Sequence, residues 1–225
     1  MREGSYLAGV GRDRELSKFY AFLAKPLFFR ARFVLAALAL PLGLSFFFPL
    51  WRIELESPQY PAGLTLDVYA HTIQSGHGGA DLRDINILNH YIGMRIIDRH
   101  DIGDLDWLPF AIGLVGILAL RCAAIGEVRS LVDVVVTTFY AFGFVIVRFV
   151  LDVQRYGTEL DPDAPVKVQP FHPPLIGSTT VGEITSHGSP QLGAYLLGTF
   201  VLGILSVLVV HLVVGRRRAE AGASA

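Results

Sequence analysis

The sequence predicts an α-helical membrane protein: four transmembrane helices under a small mixed α/β cap made from two long loops. Three observations carry that fold class. The chain has 225 residues, 52% of them hydrophobic, and a mean hydropathy of +0.48, too apolar for an ordinary soluble domain. The apolar residues gather in four runs near bilayer length, which is about 20 residues at 1.5 Å each. Basic and acidic residues sort to opposite ends of those runs.

Residues 1–32 form a basic leader carrying Arg2, Arg12, Arg14, Lys18, Lys25, Arg30 and Arg32. Within it, Leu16, Phe19, Tyr20 and Leu23 make one apolar stripe, so Asp13 to Lys25 is expected to form an amphipathic helix on the inner leaflet. Pro26 ends or bends it. The leader is too long for a cleaved signal peptide, which makes the first span an uncleaved anchor. That span is Phe33 to Trp51, and the others are Trp107 to Ile125, Leu131 to Leu151 and Ala194 to Val214. Open sheets cannot satisfy their backbone in lipid, so all four are helices.

The loop over residues 52–106 has four basic and nine acidic residues, and the loop over 152–193 has two and five. The tail over 215–225 carries Arg216, Arg217 and Arg218. The positive-inside rule therefore places both termini in the cytoplasm and both long loops outside the cytoplasmic membrane. A net charge of −1 offers nothing to nucleic acid, since topology accounts for the basic residues. Arg121, Asp133 and Arg148 all fall near span ends, so they read as interface anchors and not as a mid-membrane ion path.

The first long loop is too long to be structureless. Leu64, Leu66, Val68 and Ala70 alternate with polar residues, which is the period of a half-buried strand. Ser75 to Gly79 is a flexible turn. Asp81 to Ile97 then reads as a helix, with Asp81 as its cap. The second long loop contains Pro162, Pro165, Pro170, Pro173 and Pro174, which excludes a regular helix there and favours extended segments that cross the first loop.

Six of the seven histidines, His71, His77, His90, His100, His172 and His187, fall in the two loops. His90 and Met94 are four residues apart and share a helix face. A cysteine-free outer surface with imidazole and thioether donors suits copper or zinc, and the soft thioether selects copper over magnesium or calcium. The candidate ligand set is His90 and Met94, completed by His71, His77, His100 or His187. The competing reading makes His90 a partner of a backbone carbonyl and Met94 a gap filler. Haem is not expected: His211 is the only histidine in a span, and no CxxCH exists. The lone Cys122 excludes a disulfide framework. No nucleophile or phosphate-loop motif indicates an enzyme.

Three segments, Ser57 to Tyr69 (SPQYPAGLTLDVY), Ile85 to Met94 (INILNHYIGM) and Pro170 to Gly177 (PFHPPLIG), together resemble a poorly characterised group of bacterial membrane proteins. That group is associated with copper-enzyme and nitrous-oxide-reductase accessory genes. The resemblance spans both loops and matches at His90, Tyr91, Gly93 and Met94. It implies a genomic context and not a reaction; with the imidazole and thioether donors, the leading expectation is an accessory protein that binds or hands on copper outside the membrane in support of a periplasmic metalloenzyme. The alternative is a non-catalytic assembly subunit of a membrane complex, without metal, whose cap contacts a membrane or periplasmic partner.

Overall fold

A computed structural model describes residue 20 and residues 23–99 and 102–223, with side chains as far as Val214. The expected amphipathic helix at Asp13 to Lys25 lies largely outside these residues, and so does His100.

Four helices are long and apolar enough to cross a membrane, over Phe29–Phe47, Asp104–Ile125, Val128–Thr158 and Leu192–Val214. They belong to α1 (Phe29–Leu44, continued by a 3-10 turn to Phe47), α3 (Asp104–Ile125), α4 (Val128–Thr158) and α5 (Leu192–Ala223). Between α1 and α3 come β1 (Trp51–Ser57), β2 (Tyr60–Val68), β3 (Ile73–Ser75) and the short helix α2 (Ala80–Tyr91). Between α4 and α5 come β4 (Gly177–Val181) and β5 (Ile184–Pro190).

The first span sits four residues earlier than its apolar run suggests. Helix α1 stops at Leu44, and Trp51 becomes the first residue of β1. The strand captures it because Trp51 pairs on both sides, with Val68 and with Pro190. Helix α4 is longer than its apolar run. Its 31 residues rise about 46 Å at 1.5 Å each, more than a hydrocarbon core of about 30 Å. Its last turns reach the cap, where Gly157 accepts a backbone hydrogen bond from Phe171 of the second loop.

Helix α1 packs against both α3 and α5, and α4 packs on α3. Leu35, Leu42, Ile112, Val115, Leu131, Val134, Phe200 and Ile204 fill the centre. At one end, the chain before α1 is clipped to the α3–α4 turn. Leu27 donates its N–H to the Gly126 carbonyl at 2.6 Å, and Val128 donates to Lys25 at 3.1 Å. The Arg32 guanidinium donates to the Ala123 carbonyl at 2.8 Å and the Ala124 carbonyl at 2.5 Å. A cation thus satisfies carbonyls that the end of α3 leaves open.

At the other end, Asp104 accepts hydrogen bonds from the Trp107 indole at 2.9 Å and from Arg148 at 3.4 Å. Trp51 stacks on Phe149, with ring centroids 5.4 Å apart. From this level a five-stranded antiparallel sheet rises in the order β3-β2-β1-β5-β4. The adjacent inner strands β1 and β5 continue directly from α1 and into α5. Gly193 makes the joint compact: its N–H bonds the Pro49 carbonyl at 2.9 Å, and a Cβ there would lie 2.6 Å from the Phe48 carbonyl.

Strand alternation gives the sheet one apolar face. On it Leu64 and Leu66 pack with Ile53 and Leu55, and α2 covers them with Ile85 and Leu88. The chain at Pro174 and Leu175 crosses the same face where Gly188 leaves room for it. The opposite face carries Arg52, Glu54, Asp67 and His187, with Arg52 forked onto Asp67 at 2.7 and 2.8 Å.

Candidate functional site

The Asn89–Met94 segment is where the two loops meet. The helix expected over Asp81 to Ile97 ends at Tyr91, because Gly93 turns left-handed at φ +80°. Gly93 donates its N–H to the His90 carbonyl at 3.3 Å, and Met94 donates to Asn89 at 2.8 Å. That pair of bonds is a Schellman ending, which needs a residue free to take positive φ. The chain then doubles back along α2. Asn86 holds it with both ends of its amide, donating to the Ile97 carbonyl at 3.0 Å and accepting from the Ile97 N–H at 2.7 Å. Buried Asn89 reaches the Arg95 carbonyl at 3.4 Å.

The second loop locks onto this turn. Asp161 donates its N–H to the Gly93 carbonyl at 2.8 Å, and Val166 donates to Tyr91 at 3.1 Å. Below them, Phe171 donates to the carbonyl of Gly157 near the end of α4 at 3.0 Å. The loops are also joined through the β1–β5 ladder.

The start of α2 is fixed by a different device. Asp81 was expected to cap the helix, but Gly79 occupies that position without a side-chain bond. The Asp81 carboxylate instead crosses to the sheet. It accepts the Thr65 N–H at 2.9 Å and pairs with His77 Nδ1 at 2.7 Å. Burial pushes its pKa up, but the Thr65 amide and then His77 outweigh burial and hold it below the ordinary carboxylate value. Gly76 is required beside it, since a Cβ there would overlap both Asp81 and Thr65.

A groove of about 560 Å³ runs along the outer side of α2, lined by Leu82, Arg83, Asn86, Ile87, His90 and Ile96. It continues into a second hollow of about 410 Å³, lined by Met94, Arg95, Glu159 and Asp161. His90 and Ile96 belong to both. His90 is exposed and Met94 is half-buried. Glu159 stands 3.9 Å from Arg95, and the Asp161 carboxylate accepts the Asp163 N–H at 2.9 Å.

Of the candidate ligands, the fold brings His90 and Met94 to one hollow. His77 is at the far end of α2 on Asp81. His71 sits on the β2–β3 hairpin, its carbonyl bonded by Arg99 at 3.2 Å. His187 lies opposite Glu54, on the sheet face away from α2, and meets the Ser178 hydroxyl at 2.9 Å. His172 pairs with Gln154. Among the described residues, no three His, Cys, Asp or Glu side chains gather as a metal group.

Sequence reasoning passed over Asn86, Asn89, Thr65, Glu159 and Asp161. The asparagines had a signal: two amides three residues apart on one helix face are placed to hold a returning chain. No protein-family model matches the chain, and no curated protein or solved structure is significantly similar to it.

Proposed function

We propose that the protein is a non-catalytic accessory subunit of the cytoplasmic membrane, with a rigid extracytoplasmic cap that engages a membrane or periplasmic partner. The observation that carries this reading is the joining of the two loops. Residues around Tyr91–Gly93 and Asp161–Val166 bond backbone to backbone, and β1 pairs with β5. In this arrangement the most distinctive segment of the sequence builds a display surface. The charge pattern supports the orientation: Arg30 and Arg32 lie where α1 begins, and the acidic excess lies in the loops of the cap. The three segments that resemble copper-enzyme accessory proteins fit the same role.

Copper handling is the second reading, and one observation favours it. His90 and Met94 line a hollow with Glu159 and Asp161, a thioether and an imidazole beside two carboxylates. His77 and His187 are engaged elsewhere, His71 sits on the β2–β3 hairpin outside the hollow, and none of the three would complete that site.

The test of the leading reading is purification from native membranes at endogenous level through a C-terminal tag. A stoichiometric partner should co-purify. It should be lost with Gly93→Val, which breaks the joint, and kept with Tyr140→Ala, exposed on α4. No partner at all, or a partner that stays with Gly93→Val, would overturn it.

A further inference from the structure

The groove on α2 has properties that none of the roles above uses. Ile87, Tyr91 and Ile96 are 51%, 55% and 58% exposed around it, an apolar patch on the outer side of α2. Its height above the Trp51–Phe149 level of the bundle follows from bonds at the two ends of α2. The Trp51–Phe149 stacking marks a common level. Thr65, bonded to Asp81 at the start of α2, is three strand residues above Val68, the partner of Trp51, or about 10 Å. Thr158 is nine helical residues above Phe149, or about 14 Å. Asp161, just beyond it, holds Gly93 at the end of α2.

The ends of α2 thus differ by only a few ångströms in height over a helix about 18 Å long, so α2 lies nearly parallel to the membrane plane. It covers one face of a sheet whose strands rise from the bundle, and so its free face points sideways.

The charges along the groove are self-complementary. Arg83 stands at one end with no ion-pair partner among the described residues. At the other end Glu159 and Asp161 outnumber Arg95. The centre, at His90 and Ile96, belongs to both halves. Copies anchored in one membrane share an orientation, so a two-fold axis between them runs along the membrane normal. That axis lays α2 antiparallel to its copy and sets Arg83 of each over the acidic end of the other.

We infer that this groove is a two-fold contact between two copies of the chain, centred on His90 and Ile96. The inference goes beyond the accessory role and stands or falls without it, since a dimer can form whether or not another subunit is bound.

Cysteine pairing tests it, because a residue near a two-fold axis meets its own copy. The full-length protein is prepared in native membranes with Cys122→Ala, and His90→Cys or Ile96→Cys is added. Mild oxidation should give a disulfide-linked dimer of this chain alone, whereas Thr180→Cys at the far sheet edge should stay monomeric. Arg83→Glu should abolish the dimer in either background, and adding Glu159→Arg should restore it. Variants are compared only where their elution and thermal profiles match the parent. A monomeric mass for the unaltered protein, or no cross-link at either position, would overturn the inference. So would cross-linking only to a different protein, which would assign the groove to a foreign partner.

Discussion

The Asp161 amide donates to the Gly93 carbonyl at 2.8 Å, tying the second loop to the turn that ends α2. A Cβ at position 93 would lie 2.9 Å from the Asp161 carbonyl oxygen and from the Ala164 Cβ, at a φ of +80°. Gly93→Ala therefore incurs left-handed strain and a backbone collision together, about 2–4 kcal/mol. Gly78→Ala is the control: its φ is +68° but nothing lies within 4 Å of the added carbon, so strain alone costs about 1–2 kcal/mol. Thermal unfolding in detergent should rank the two in that order. Equal losses would mean that the loop contact at Gly93 contributes nothing.

The buried Asp81 carboxylate predicts an acid-sensitive cap. Its pKa is held down in the folded protein, so its stabilisation is complete above the ordinary carboxylate value. As pH falls through the lower folded value, the proton neutralises the acceptor and the contribution disappears. Asp81→Ala should cost about 2 kcal/mol at neutral pH, as expected for removing a charged acceptor from buried hydrogen bonds. His77→Ala should cost well under 1 kcal/mol, because the imidazole is mostly exposed. Melting curves from neutral pH down to about pH 3 check this. A wild-type advantage over Asp81→Ala that persists undiminished at the acid end would contradict it.

The spans and β2 were legible because hydropathy and alternation are local signals, as in the Leu64–Leu66 pair. Strand β1 carried the same signal, Ile53 and Leu55 between Arg52, Glu54 and Glu56, but the apolar run before it drew Trp51 into the first span. Strands β4 and β5 had no comparable pattern. Ser178, Thr180, Ser186 and His187 are strand residues because of their ladder partners, and those partners are set by the path of the whole second loop. The candidate site divides in the same way. Its histidines could be assigned to the loops, but convergence depends on long-range joints such as Tyr91 with Val166. The joints leave His90 and Met94 together and send His77 and His187 elsewhere.

At the opposite end of the bundle, Arg32 should hold the α3–α4 turn closed. Its two bonds to Ala123 and Ala124 put positive charge on a helix C-terminus, where both the dipole and the open carbonyls favour it. Arg32→Ala should destabilise that turn by about 1 kcal/mol, and Arg32→Lys by less, since it keeps the charge but not the fork. Hydrogen exchange should quicken at the Gly126 and Val128 amides, which bond to Cys122 and Lys25. Unchanged exchange there in Arg32→Ala would remove the capping role.

Elemental analysis separates the two functional readings. On the assembly reading, detergent-purified protein holds no stoichiometric copper, and the His90→Ala, Met94→Ala double variant keeps both its fold and its partner. On the copper reading, the unaltered protein holds about one Cu(I) per chain, as expected for soft thioether and imidazole donors, and the double variant holds none while melting normally. The groove geometry makes that variant informative. His90 is exposed, and the Asn89, His90 and Gly93 bonds that end α2 are formed by backbone atoms, so truncating the two side chains should spare the turn. Stoichiometric copper that survives the double variant would count against both readings as drawn, because the metal would then lie away from the joint between the loops.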